Sequence, residues 1–499
     1  MDNDNSQELQ PASVEATAEP VKEPEYVPPP NGWRTFLTLW GTQSLSVFGT
    51  ALTFFTINIW LVVKEFPNDD QKLQLGLALG AVDIAFGVTV MIVAPFAGAW
   101  ADRHDRKRTM FVTDLLNGGL SLFLMALMVT DTLDVWLLGI IMIAFAVLSG
   151  FHGSAFDTSY AMLVPESKLP RANGMMQTIW SLSGIVSPFI AASIIALPTL
   201  AQQGVLPEPF GTWLAGLDDG TALAIAIDAA TFFVAAAVIW FLRIPSPKRT
   251  DLRTEEGKFK KSIWADVKEG GLYIWRRRPM LWLLGTFTAA NFLLAIGVLT
   301  PLLVRFNLQP DWASKGFTIE SAIAFVSTVY AVGGVVGGVF ISIWGGLKRR
   351  RIYGVLVPMM IAGVAQVVFG LSPWIYLTAV MGIFLDGMIP IMNAHSQAIW
   401  QGQTPKELQG RVFSVRRVIA QFSWPVSAAL ASWLGGMYNP GVIIALMGAL
   451  MVVFCIGQLF NPMLRRVEDK EYLESLAAEA EAKAARRAEE RKESRKAAA

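Results

Sequence analysis

Long apolar stretches and short polar gaps alternate through the middle of this 499-residue chain. Twelve stretches stand out, at residues 36–63, 73–101, 109–130, 135–162, 173–197, 221–242, 280–304, 319–346, 352–371, 374–401, 411–437 and 441–463. Each reaches the about 20 residues that a helix needs to cross roughly 30 Å of hydrocarbon. Inside hydrocarbon the backbone must satisfy its own hydrogen bonds, so each stretch is expected to be a helix. The pattern predicts an all-α polytopic membrane protein with twelve transmembrane helices.

The gaps divide the pattern. The longest, residues 243–279, carries Ile263, Val267 and Ile274 with Trp264 and Trp275, a spacing that predicts a helix lying on the membrane surface. It separates an N-terminal six-helix bundle, 36–242, from a C-terminal one, 280–463. Residues 1–35 are acidic and Pro-rich, closing on Pro28, Pro29 and Pro30, and read as a disordered tail. They lack the basic start of a cleavable signal peptide. Residues 464–499, rich in Ala, Glu, Lys and Arg, read as a solvated helical tail.

The two bundles echo each other. Trp100-Ala101-Asp102-Arg103 before Arg106-Lys107-Arg108 is matched by Trp344-Gly345-Gly346 before Lys348-Arg349-Arg350-Arg351. Pro165 is matched by Pro405, and Pro188 by Pro425. Two six-helix pseudo-repeats in parallel are one layout of secondary transporters.

Composition agrees, with 53% hydrophobic and only 16% charged residues. The net charge of +1 says little, but its distribution says more. If the amino end is cytoplasmic, the outer gaps hold only Lys64, Lys72, Arg305 and Lys315 of the 41 Lys and Arg. The positive-inside rule then places both termini in the cytoplasm, and the expected location is the cell membrane. Trp60, Trp100, Trp136, Trp240, Trp344, Trp374 and Trp400 fall near span ends, as an interfacial belt requires. The one cysteine, Cys455, excludes an intrachain disulfide, and no metal site, cofactor or nucleic-acid partner is expected. The chain has no Gly-x4-Gly-Lys-Ser/Thr loop, which argues against ATP-driven pumping, and no nucleophile–base constellation that suggests an enzyme.

Three sets of residues bear on mechanism. The turn after the second span contains Gly98, Asp102, Arg103, Arg106 and Lys107. A glycine lets helix ends approach, and an acid beside arginines can form a latch. This turn resembles the signature loop of the major facilitator superfamily, Gly-x-x-x-Asp-Arg-x-Gly-Arg-Lys, with Asp105 standing where most members have Gly. In span five, Gly174, Ser183, Ser187, Pro188, Ala191 and Ala192 are similar to the antiporter motif of exporters in that superfamily, with Ser or Ala in place of the later glycines. Small residues there allow close helix packing whether or not they serve antiport. Gly333, Gly334, Gly337 and Gly338 form a small face on span eight. Ile185-Val186-Ser187-Pro188, Ala226-Ile227-Asp228, Lys268-Glu269-Gly270 and Gly410-Arg411-Val412-Phe413-Ser414 resemble the bacterial macrolide-efflux and siderophore-export group. That resemblance implies spans five and eight meeting across the halves, and the Asp102 loop latching the cytoplasmic side against the start of span eleven near Arg411.

The second set is acidic. Asp83, Asp157, Asp228 and Asp386 lie within apolar sequence. An ionised Asp at mid-membrane costs about 3 kcal/mol on insertion scales, so each is expected to face a cavity, to be paired or to carry a proton. Asp83 and Asp386, near mid-depth, are the leading proton-coupling candidates; a structural hydrogen bond is the competing reading for each. His152 and His395 are possible relays. The third set is the cargo surface. No Lys or Arg is expected at mid-depth, which disfavours anionic cargo and favours cationic or neutral amphiphiles held by aromatic and polar side chains. Gln43, Asn58, Phe86 and Trp180 are candidates in the first half, and Asn291, Phe292, Asn393 and Trp424 in the second.

The expected function is proton-coupled export of amphiphilic drugs such as macrolides, by a monomer. A siderophore or metabolite exporter, or a nutrient importer, would share the fold.

Overall fold

The computed structural model describes residues 29–101, 104–165, 168–217, 219–244, 263–294, 296–405 and 408–497. Residues 1–28 of the expected tail, together with Asp102 and Arg103, lie outside the described residues. Twelve long helices follow the apolar pattern: α1 Gly32–Trp60, α2 Lys72–Ala101, α3 Arg106–Val129, α4 Val135–Leu163, α5 Leu169–Gln202 and α6 Thr221–Phe241. After a linker helix, Ile263–Arg276, come α7 Arg278–Phe306, α8 Ile319–Trp344, α9 Arg351–Leu371, α10 Ile375–Gln403, α11 Gln409–Met437 and α12 Pro440–Leu459. Among the described residues there is no strand.

Eleven of the twelve are long and apolar enough to cross a membrane. The exception is α11, whose first turns carry Arg411, Arg416 and Arg417. Helix α7 is broken, with a 3-10 turn at Gly297–Leu299 before it resumes over Thr300–Phe306. Local chemistry sets several of the boundaries. Asp134 caps α4 by accepting from Leu137 N–H at 2.7 Å, Thr318 and Ser321 form a reciprocal cap on α8, and Asn439 with Pro440 starts α12.

The packing repeats with a shift of six helices. In the first half α1 packs on α5 and α6, α2 on α4, and α3 on α4 and α6; in the second, α7 packs on α11 and α12, α8 on α10, and α9 on α10 and α12. The halves meet through α2 with α11 and through α5 with α8, two contacts that the same shift interchanges. The repeat extends to the turns: Pro165 O accepts from Lys168 N–H at 2.8 Å, and Pro405 O from Leu408 N–H at 3.0 Å.

Alternation of twelve helices brings both termini to one end of the bundle, called here the termini end; the opposite is the far end. The linker helix and the tail helix Lys470–Ala497 close over the termini end of the second half. Arg411 pairs with Glu269 at 2.6 Å, Arg276 with Glu481 at 2.6 Å, and Glu468 accepts from Arg351 N–H at 2.7 Å.

At the far end, Asp311 accepts from Lys315 and, at 2.8 Å, from Ile375 N–H at the start of α10. The Lys315 ammonium first, then that N–H, holds the Asp311 carboxyl below the usual carboxylate range. A depressed carboxyl stabilises the fold above its unfolded value of about 3.9, and that stabilisation is lost as pH falls through its own lower value. Asp311→Asn is therefore expected to lower thermal stability at pH 7 by a small amount that disappears as the pH falls through the lowered value of the Asp311 carboxyl. Melting curves across that acid range check this.

Candidate functional site: the seam between two half-bundles

The far end is closed by backbone-directed cations. Arg305 of α7 is only 7% exposed. Its guanidinium donates to Val62 O at 2.5 Å, to Phe66 O at 2.7 Å and to Pro67 O, all just beyond α1. Lys72 Nζ donates to Tyr438 O at 2.6 Å, joining α2 to α11. Arg305 was expected simply in an outer gap; its burial comes from carbonyls the first half leaves unpaired where its helix unwinds.

From there α2 and α11 run together towards mid-depth. A side chain at Gly76 would strike Ser432 O, one at Gly80 the Ser432 side chain, and one at Gly87 the Trp424 ring. Asp83 lies on this stripe, seven residues after Gly76 and four before Gly87. Nearer the termini end Gly98, on the same face of α2, has nothing within 4 Å of where a side chain would begin. On the α5–α8 seam Thr328 Oγ1 donates to Ile185 O at 3.0 Å and Gly184 faces Ala331. The two halves are thus joined from the far end to mid-depth.

The four acids take different places. Asp83 is half-buried on the α2–α11 seam, close to Phe86, which meets Phe54 edge-on at 4.9 Å, and to Trp424. An acid among aromatic faces suits an amphiphilic cation. Asp386 lies within the second half, its carboxylate over Gly334 of α8 and within electrostatic reach of Tyr330. Asp228, 1% exposed, accepts from Thr53 Oγ1 at 2.8 Å and Ser121 Oγ at 2.9 Å, tying α6 to α1 and α3. Asp157 is exposed on α4, within electrostatic reach of His152 and of Arg417 on the opposite half.

The cargo candidates do not share one wall. Trp424 lies against Gly87 at the seam, Phe86 packs on Phe54 of α1, and Asn393 is exposed on α10. Gln43 is turned into the first half, where it donates to Asp114 Oδ2 at 3.3 Å. Asn291 donates to Ala420 O at 2.9 Å and Phe292 O accepts from Ser427, both binding α7 to α11. Asn58 is half-buried at the far end of α1. Trp180 lies on α5, its side chain outside the described residues.

In the signature turn, Arg106 donates to Thr158 O at 2.9 Å and Lys107 to Trp240 O at 2.7 Å, so both are held within the first half. Arg411 is engaged by Glu269 in this conformation, and Gly98 has open space around it. Asp105, the departure from the family pattern, has a local role: it caps α3, accepting from Arg108 N–H at 2.7 Å. In α5, Ser183, Ser187, Pro188 and Ala191 are buried, Ser187 Oγ donating to Phe48 O at 3.3 Å, while Ala192 is half-buried and Gly174 lies near the start of the helix. Of the span-eight glycines, Gly333 and Gly337 face the α10 backbone and not α5.

Two residues that the sequence does not single out prove central to the arrangement: Arg305 and Asp114. Asp114 of α3 is wholly buried and lies 3.1 Å from His152 Nδ1 of α4. It falls inside the expected span 109–130, two turns after Arg106-Lys107-Arg108, and its place within that apolar run is the signal that could have set it beside the other buried acids.

The chain matches the model of the Major Facilitator Superfamily over residues 39–426. It is 24% identical over 444 residues to macrolide efflux protein A of Streptococcus pyogenes, covering 88% of this chain and 98% of that one. It is likewise 24% identical over 341 residues to macrolide efflux protein A of Enterococcus faecalis, covering 67% and 94%. Its fold is similar to the crystal structure of a mutant of the nucleoside transporter NupG, with a TM-score of 0.62 at 14% identity, covering 85% of this chain and 99% of that one. The twelve-helix pseudo-repeat and the match across most of its length make this chain a member of the Major Facilitator Superfamily, a multi-pass membrane transporter.

Proposed function

We propose that this transporter exports amphiphilic compounds, macrolides among them, from the cytoplasm in exchange for protons. The observation that carries the reading is the placement of Asp83 on the α2–α11 seam, beside Phe86 and Trp424, where the two halves must part for cargo to cross. A carboxylate there can hold either a proton or a cationic cargo, so loading one displaces the other. The likeness to proteins named for macrolide efflux supports the direction of transport. The termini end is then the cytoplasmic side, as the basic residues imply, and cargo enters from there. Rocking of residues 36–242 against 280–463 exposes the seam alternately. On this reading Asp386, held against α8, is the second coupling acid, and the turn at Gly98–Lys107 and Arg411 meet when the cytoplasmic side closes.

The test is expression in a pump-deficient bacterium, with drug sensitivities measured with and without a protonophore. Resistance to macrolides that the protonophore abolishes is expected. Asp83→Asn with Asp386→Asn should reduce macrolide-induced proton release in vesicles by about tenfold, the effect of about 1.4 kcal/mol of lost coupling. Unchanged coupling in the double variant would sink the assignment. Resistance to no drug, with flux of an iron chelate or metabolite instead, would turn the reading towards metabolite export.

A further inference from the structure

The first half contains a titratable pair that the seam does not use. Asp114 is 0% exposed, and its oxygens face His152 Nδ1 at 3.1 Å and Gln43 Nε2 at 3.3 Å. A permanent ion pair this deep is stable only when its remaining lone pairs are satisfied by hydrogen bonds. Here they are not: Asp114 Oδ1 has no aligned donor, and Asn117 Oδ1, one turn along α3 and equally buried, has none either. Among the described residues, no Lys or Arg is paired with Asp114 or His152. Helix α1 offers Gln43, α2 Asp83 and α6 Asp228; α3 carries Arg106, Lys107 and Arg108 two turns away, and α4 adds Asp157 and Tyr160. Arg417 approaches from the opposite half and acts on Asp157.

His152 is 12% exposed while Asp114 is sealed, so the imidazole is the member of the pair that meets its surroundings. An imidazole can take up and release a proton, and a carboxylate within hydrogen-bond distance can receive it.

We propose that Asp114 and His152 form a proton-binding dyad in the core of the first half, filled and emptied through the partly exposed imidazole. The proton is taken up by the His152 imidazole and passes from it to the Asp114 carboxylate, which leaves the imidazole neutral. Gln43 holds the second Asp114 oxygen in place. Loading changes by one the charge lying behind Asp157, the carboxylate that senses Arg417 across the halves, and so links proton occupancy to how strongly the halves attract at the termini end. The inference deepens the proton-coupled reading, adding a site apart from Asp83 and Asp386.

Infrared pH titration of the full chain in liposomes tests it, with the proton itself as probe. The wild type is expected to show a buried carboxylic-acid signal and an imidazole signal changing at a common midpoint. Asp114→Asn should remove the buried-acid part of that transition, and His152→Gln should shift the acid midpoint by at least one pH unit, a tenfold change in proton affinity. His152→Gln, retaining a polar side chain, serves also if Asp114→Asn does not fold. A transition that neither variant alters would overturn the dyad. Absence of proton-driven flux in the wild type would instead defeat the proposed antiport and leave the dyad to the infrared result.

Discussion

Arg305→Leu opens the far end of the bundle. The guanidinium bridges three carbonyls at the end of α1 from its place on α7, and it is nearly sealed from solvent. Hydrogen bonds to a charged group contribute about 1.5–3 kcal/mol each in mutational series. Most of this is specific to the closed state, because in the open state water can serve both sides. A net loss of about 3 kcal/mol shifts the balance between states roughly a hundredfold. Arg305→Lys, a point charge with one good bond, should fall between. Spin labels at the exposed positions Asp70 and Ser314, on far-end loops of the two halves, report the opening as a longer distance distribution. Cys455, fully buried in α12, does not compete for the label. A distribution identical to wild type would show that Arg305 is not what holds this end shut.

Gly337→Val acts on stability instead. Helices α8 and α10 approach so closely that a side chain at Gly337 would strike the Gly387 carbonyl, and one at Gly333 the Ile383 carbonyl. Those obstacles are backbone and cannot rotate away. Small residues permit such contact, which drives association where lipid removes the hydrophobic contribution. Overpacking costs about 1–3 kcal/mol even where neighbours yield, so the melting temperature should fall by roughly 2–12 °C, taking one half-bundle as the cooperative unit. Gly338, the next residue, has nothing within 4 Å of where its side chain would begin. Gly338→Ala should therefore melt like wild type. Thermal scans of the purified variants decide the matter; equal stability of Gly337→Val and wild type would mean the helices can separate freely.

These cases show how far a linear reading reaches. The glycines of α8 stand out in the sequence, but spacing cannot tell whether they face α5 or α10. Gln43 and Asn291 look like cargo contacts because they are polar residues in apolar spans. Their partners, Asp114 and Ala420 O, are 71 and 129 residues away in the chain. The acids were legible as anomalies, since a charge in hydrocarbon needs a reason. Which reason applies depends on neighbours: hydroxyls for Asp228, a seam for Asp83, a glycine of the next helix for Asp386.

By itself the sequence determined the number and order of the helices. A run of about 20 apolar residues has one stable form in lipid. Tertiary structure alone decided that Arg305 closes the far end, that Asp114 faces His152, and that α2 runs along α11. Those facts rest on contacts up to 243 residues apart, where side-chain shape and unpaired carbonyls choose the partner and no local period records the choice.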